Sequence, residues 1–401
     1  MTSEWNHFAL GEITELVIDY RGKTPKKLGG DWCKQGYRAL SAKNIKTGRI
    51  VQAETIRYID ESLYRKWMKD EVQRGDILIT SEAPIGQIFF WDSDEKIVLS
   101  QRLFCVRIKP EYDARFIYYY MTTPEFQSEL DGRATGTTVI GLRQPELMKC
   151  VIRCPEIQEQ KVIAAILSSI DAKIIANEKV NDNLEQQAQS YFQELFVDNA
   201  DPEWTTGTIS DLGTVVGGST PSKAKPEYYT ESGIAWITPK DLSNNKSKFV
   251  SHGENDITEL GLRNSSASIM PEGTVLFSSR APIGYIAIAA GEVTTNQGFK
   301  SVVPKPEIGT PFVYFFLKNT LPVIEGMASG STFKEVSGST MKNVPAVIPD
   351  AETLAKFSDF CAPIFAQQRI LEEQNQSLAT LRDNLLPKLM SGEIDVSAVQ
   401  L

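Results

Sequence analysis

The sequence predicts an α+β fold: two similar globular domains separated by two long antiparallel coiled-coil helices, with pseudo-two-fold symmetry. Three observations carry this prediction. Short motifs of the first half return in the same order in the second half. Each copy is followed by a stretch with a seven-residue apolar period. Within each copy, apolar residues come in short β-branched runs broken by Gly and Pro, as strands joined by turns require.

The repeat spans nearly the whole chain. Gly22-Lys23-Thr24-Pro25 returns as Gly218-Ser219-Thr220-Pro221, an offset of 218 − 22 = 196 residues. Gly75-Asp76-Ile77-Leu78-Ile79-Thr80-Ser81 returns as Gly273-Thr274-Val275-Leu276-Phe277-Ser278-Ser279, and Ala83-Pro84-Ile85-Gly86 as Ala281-Pro282-Ile283-Gly284. Ala134-Thr135-Gly136-Thr137-Thr138 returns as Ala328-Ser329-Gly330-Ser331-Thr332. Two repeats this long cannot form a solenoid, so a complete domain-plus-helix unit has been duplicated.

The elements follow in order: a first globular domain over 1–154, a first long helix over 155–200, a second globular domain over 201–350, and a second long helix over 351–401. Strands dominate the globular parts, with helices interspersed, for example at 113–121 and 311–317; the aromatics Phe116, Tyr119 and Tyr120 in the first of these are read as core. In the first long helix Ile163, Ile170, Asn177, Leu184 and Tyr191 fall at one heptad position and Leu167, Ile174, Asn181, Ala188 and Leu195 at the other. The second helix repeats the seam through Phe357, Ile364, Leu371, Leu378 and Leu385, joined by Phe360 and Leu381. Polar residues in the seam, Asn177 and Asn181 against Gln367 and Gln374, weaken packing but fix register. A helix of about 40 residues is roughly 60 Å long, which suits a spacer holding the two domains apart. Pro363 and Pro387 are expected to interrupt or kink the second helix, leaving 364–386 continuous.

Composition bounds the function. No apolar run reaches membrane-spanning length and residues 1–10 lack the character of a signal peptide, so a cytoplasmic location without membrane contact is expected. The 5 cysteines form no even framework, as suits free thiols; Cys150 and Cys154 are spaced for one strand face rather than for a metal. With only 2 histidines, a His-rich metal site is excluded. Gly22-Lys23-Thr24 lacks the glycine of a phosphate-binding loop, because Val17 stands five places before Gly22. Neither the Asn/Asp-Pro-Pro-aromatic motif of an adenine methyltransferase nor its glycine-rich cofactor turn occurs. No cofactor or metal is therefore expected in this chain.

The net charge of −9 argues against nucleic acid, but charge is segregated. Residues 21–49 carry nine Lys or Arg against one acid, Asp31, whereas 155–200 carry eight acids against three Lys. The basic run is either a solvated face or a DNA contact. Base readout needs Arg, Lys, Asn, Gln, Ser or Thr presented from turns. In the first domain the candidates are Lys23, Thr24, Lys43, Asn44, Gln101, Arg102, Arg133, Thr135, Thr137, Thr138 and Arg143. In the second they are Ser219, Thr220, Lys240, Asp241, Arg280, Asn296, Gln297, Ser329, Ser331, Thr332 and Lys334. The competing reading makes these sequences turns and caps that serve the fold. Positions alike in both halves suit scaffold or phosphate contacts; positions that differ, such as Arg102 against Gly298 and Glu82 against Arg280, suit base choice.

Pro155-Glu156-Ile157-Gln158-Glu159-Gln160-Lys161-Val162-Ile163 resembles the opening of the central conserved helix of type I restriction-modification specificity subunits. Leu381-Arg382-Asp383-Asn384-Leu385-Leu386-Pro387-Lys388-Leu389-Met390-Ser391-Gly392-Glu393-Ile394 resembles that family's carboxy-terminal signature. The resemblance covers essentially the full length. One departure is Ala351-Glu352-Thr353-Leu354, which stands where the first repeat has Glu156-Ile157-Gln158-Glu159. The resemblance implies two target recognition domains, each reading one half of a split double-stranded DNA site. It also implies conserved helices that dock methyltransferase subunits, two in number, and restriction/translocase subunits. S-adenosylmethionine is then expected in the partner methyltransferase, and this chain is expected to be non-catalytic. The rival from another class is a coiled-coil protein-interaction scaffold without sequence-specific DNA binding.

Overall fold

The computed structural model describes residues 5–136, 140–330 and 334–399. The chain forms two compact units, 1–173 with 378–401 and 174–377, so each unit combines a globular part with a portion of both long helices.

In unit 1 the central sheet comprises β1 (Thr14–Asp19), β2 (Ile77–Ser81), β3 (Ile85–Phe90) and β4 (Leu103–Ile108) in the antiparallel order β1-β4-β2-β3. Cys105 faces Ile18 on one side and Leu78 on the other, and Ile79 faces Ile88. Both faces of the sheet are buried, which explains the continuous rather than alternating apolar runs. Ile77, Ile79, Phe104 and Val106 enter a core with the helices, while Leu78, Leu103 and Cys105 enter a second core with Trp67 and Trp91. Helix α1 (Ala114–Met121) starts where the Asp113 carboxylate accepts the Phe116 N–H at 2.8 Å. Helix α2 (Pro124–Arg133) starts on a Thr123 cap with proline in its first turn. Phe116, Tyr119 and Tyr120 are buried, as core packing requires. Cys150 and Cys154 are buried at the ladder that pairs Val151–Cys154 with Asn6–Ala9, and all five cysteines are free.

Unit 2 repeats this path. Its sheet comprises β5 (Gly213–Gly217), β6 (Phe249–Val250), β7 (Val275–Ser279), β8 (Ile283–Ala289) and β9 (Lys300–Pro304), ordered β5-β9-β7-β8-β6. The first four strands reproduce the order of unit 1; β6 adds a parallel edge. Thr205–Thr208 pairs with Pro345–Ile348 as the counterpart ladder.

Helix α3 spans Ile157–Gln193, α4 Thr310–Met327 and α5 Ala351–Met390. α3 and α5 pair antiparallel within each unit. In unit 1 Asp171 accepts from Arg382 at 2.9 Å and from the Tyr119 hydroxyl at 2.6 Å. In unit 2 Asn177 donates to Asn375 at 2.8 Å, Gln368 donates to the Asn181 carbonyl at 3.2 Å, and Tyr191 meets Phe360 at 4.5 Å between ring centroids. Ile163, Ile170, Ile364 and Leu371 are buried; Leu184, Tyr191, Leu378 and Leu385 are half-buried.

Three expectations for α5 are corrected. Gln367 and Gln374 point to solvent, and the polar seam residues are their neighbours Gln368 and Asn375. Phe360 and Leu381, 38 % and 47 % exposed, flank the seam, whereas Cys361 and Leu389 are buried in it. The second heptad position therefore lies four residues after the first, as it does in α3. Pro363 and Pro387 do not break α5, which runs unbroken from Ala351 to Met390. Phe357, Cys361, Ile364 and Phe365 are buried around Pro363, and that tertiary packing outweighs the lost backbone bond. The helix ends where Gly392 adopts φ 75 beside the Trp5 ring, a left-handed turn that a residue with a side chain would adopt only under strain. Among the described residues, no helix is long and apolar enough to cross a membrane.

Candidate nucleic-acid interface

The duplicated Ala-Pro-Ile-Gly motif forms the turn between β2 and β3 in unit 1 and between β7 and β8 in unit 2. Ala83–Pro84 and Ala281–Pro282 are both cis, with φ of 53 and 51 at the alanines. In unit 1 the turn is held on two sides by backbone bonds. Ser81 N–H donates to the Arg102 carbonyl at 2.9 Å, and Leu142 N–H donates to the Ser81 carbonyl at 2.8 Å. Thr135 and Gly141 exchange backbone bonds at 3.0 and 2.9 Å, closing the third segment. The three segments enclose an open, polar cleft of about 370 Å³ lined by Arg21, Ser81, Glu82, Gln101, Arg102 and Leu142.

Unit 2 uses the same backbone frame. Ser279 N–H donates to the Gly298 carbonyl at 2.7 Å, Val336 N–H donates to the Ser279 carbonyl at 3.0 Å, and Ser329 and Glu335 exchange bonds at 3.1 and 2.8 Å. The charges on that frame are rearranged. In unit 1 Glu82 on the turn pairs with Arg102 at 2.7 Å. In unit 2 the turn carries Arg280, which faces Glu335 at 3.5 Å; Lys300 lies 3.9 Å from the same carboxylate, and burial pushes its ammonium below the ordinary lysine range. Gly298 stands where Arg102 does, and Glu335 where Gly141 does. A common frame with different polar groups can read different sequences.

The other sequence candidates differ in exposure and in the partners that hold them. Lys43, Gln101, Arg102 and Arg143 in unit 1, and Lys240, Gln297 and Lys334 in unit 2, are exposed. Lys26, Lys27, Lys34, Lys46 and Arg49 are exposed with Lys43, so the basic run faces solvent. Lys240 pairs with Glu254 at 2.6 Å, and the Thr220 hydroxyl bonds the Gln297 side chain. Arg133 is tied to Glu129 at 2.8 Å, and Lys23 donates to the Trp67 carbonyl and lies over the Tyr20 ring. Thr24 accepts from Lys27 N–H at 3.4 Å as a turn residue. Ser219 bonds the Thr295 carbonyl at 2.8 Å, and the Asn296 side chain accepts the Gly298 N–H at 2.9 Å. Asp241 caps the Thr238 turn, and Ser329 serves the frame already described. Asn44 is corrected: it is 1 % exposed, and its side chain bonds Ser41, Val51, Gln52 and Thr55, so it builds the loop instead of facing a ligand. Thr137, Thr138, Ser331 and Thr332 lie outside the described residues.

Lys300 and Glu335 escaped the sequence reading, and Arg21 entered it only as the first residue of the basic run. Arg21 binds Asp19 with two nitrogens at 2.8 Å, donates to the Leu142 carbonyl at 3.3 Å and stacks 4.0 Å over Phe104, forming the cleft floor. Its position carries Gly217 in the second copy, a difference the 196-residue offset could have revealed.

The family described as type I restriction modification DNA specificity domain matches twice, over 2–186 and over 202–381. A type I restriction enzyme specificity subunit, MjaIX of Methanocaldococcus jannaschii, is 39 % identical over 194 residues, covering 46 % of this chain and 45 % of that protein. The HindI specificity subunit of Haemophilus influenzae is 23 % identical, covering 81 % of this chain and 88 % of its own. The crystal structure of a type I restriction-modification system S subunit from M. genitalium shares the fold, with TM-score 0.59, 18 % identity and 96 % of each chain covered.

Proposed function

Because the chain belongs to the type I restriction-modification DNA specificity family, we propose that it is the sequence-reading subunit of such a complex. The globular parts, 1–154 and 201–350, act as target recognition domains, each reading one half of a split duplex site. The helices over 155–200 and 351–401 dock two methyltransferase subunits and, where present, restriction subunits. The chain itself adds no chemistry. S-adenosylmethionine is bound by the partner methyltransferase, and the assembly works in the cytoplasm, where five free thiols are stable.

The observation that carries this reading is the pair of equivalent backbone frames bearing different charged groups. The charge at the turn is inverted from Glu82 to Arg280, so the two frames offer a ligand different patterns of donors and acceptors. Exposed Lys43, Gln101, Arg102 and Arg143, with Arg280, Gln297 and Lys334, are assigned to the DNA face. Each wrong base pair then costs about 1–3 kcal/mol of binding.

Salt dependence separates DNA reading from the scaffold alternative. With the methyltransferase bound, affinity for duplex DNA is expected to fall linearly in log salt concentration. Roughly six phosphate contacts give about a 10³-fold loss between 50 and 200 mM. An affinity indifferent to salt, or no duplex binding by the complex, would contradict the proposal.

A further inference from the structure

In the unit 1 cleft, two arginines lie close together in very different states. Arg21 is committed, with its guanidinium divided among Asp19, the Leu142 carbonyl and the Phe104 ring. Arg102 has one partner among the described residues, Glu82 at 2.7 Å, and its side chain remains 47 % exposed. Its backbone holds φ 64, a left-handed conformation rare for a residue with a side chain, and the Ser81 N–H bond to its carbonyl fixes that backbone to β2. The equivalent position is Gly298, so the arginine is not required by the frame. A conformation that costs stability is maintained here, and its result is a guanidinium projected at the cleft mouth and oriented by a carboxylate.

Resting on the reading of the chain as a DNA specificity subunit, we propose that Arg102, oriented by Glu82, determines one base pair of the half-site read by unit 1, and that this pair is G·C with guanine facing Arg102. A planar guanidinium donates two parallel hydrogen bonds to guanine O6 and N7 in the major groove, a match no other base offers. The pair with Glu82 uses the Nε edge of the guanidinium and limits its rotation. Unit 2 has no arginine in the corresponding loop; its cation sits on the turn, at Arg280. The two half-sites are therefore read from different sides of the same frame.

The test measures methyl transfer by the intact complex of this chain with its methyltransferase, on duplexes that carry every single base-pair change of the recognised site. The unaltered complex is expected to prefer G·C at one position of the unit 1 half-site by roughly 10- to 100-fold. Arg102→Ala should erase that preference and leave every other position intact. Arg102→Gln should shift the preference toward adenine, whose N6 and N7 match a carboxamide. A uniform loss at all positions in both variants would show a phosphate or structural contact and overturn the assignment, as would preferences unchanged from the unaltered complex. An unaltered complex with no positional preference would instead overturn the reading of the chain as a specificity subunit, and the assignment with it.

Discussion

Replacing Glu185 with leucine is expected to destabilise unit 2 by about 3–5 kcal/mol, because it leaves Lys248 buried without the carboxylate that offsets its burial, which already pulls the ammonium down to about 8. Lys248 is 7 % exposed; its ammonium donates to Glu185 at 2.7 Å and to Gln368 at 2.9 Å and lies 3.5 Å from the Phe365 ring centroid. Glu185 also accepts from Lys318 at 2.5 Å and from the Tyr314 hydroxyl at 3.1 Å. Backbone N–H groups of Lys248 and Phe249 donate to Glu372 at 2.7 and 3.0 Å, so the strand β6 is fastened to both α3 and α5 within this unit. At roughly 2–4 °C per kcal/mol for a unit of this size, the calorimetric transition should fall by roughly 6–20 °C. Adding Lys248→Met should recover much of that loss, since an apolar pair replaces the stranded charge. A single variant as stable as the native chain would show that the network contributes nothing.

The same network sets a pH dependence. Burial alone raises the Glu185 carboxyl, but the charges of Lys248 and Lys318 outweigh it and hold the group at about 2. The unfolded carboxyl takes up its proton near 4.5. The stabilisation is thus complete above about 4.5 and is lost as pH falls toward about 2. Unfolding free energies measured through that window should decline for the native chain and lack this component in Glu185→Leu.

The second large effect is expected at Phe192. Its ring is 2 % exposed and meets Phe196, Phe312, Phe315 and Phe357 at centroid distances of 5.2, 5.8, 5.9 and 5.8 Å. Four rings from three segments of unit 2, the end of the α3 rod, α4 and α5, converge on this one side chain. Phe192→Ala should cost about 3–5 kcal/mol, the sum of lost burial and a cavity the surrounding rings cannot collapse to fill. Phe192→Leu keeps most of the volume and should cost less. Urea unfolding distinguishes the two, and a loss below about 1 kcal/mol for the alanine variant would contradict the packing described.

What the sequence disclosed and what it hid have separable physical causes. The duplication was legible because turn motifs such as Ala83-Pro84-Ile85-Gly86 are local and dense in Gly and Pro. The seam of α3 was legible because its period is local too. In α5 the first seam position was read correctly and the second was misplaced by one residue: Phe360 offers more apolar surface than Cys361, yet Cys361 is the buried one. Pro363 misled because a local rule about proline gave way to tertiary packing. The Lys248 network left no trace, since residues 185, 248, 318, 368 and 372 are brought together only by the fold. Asn44 was misread because its residue type suits both a base contact and a loop clasp, and only burial distinguishes the two.

The most direct measurement co-expresses the chain with the methyltransferase encoded beside it and maps N6-methyladenine across the host genome by single-molecule sequencing. The native chain is expected to give one split motif with a fixed gap. A chimaera with residues 1–150 taken from a relative is expected to change one half of that motif and leave the other half unaltered. Methylation with no split motif, or a chimaera that changes both halves together, would contradict the account of two independent reading domains.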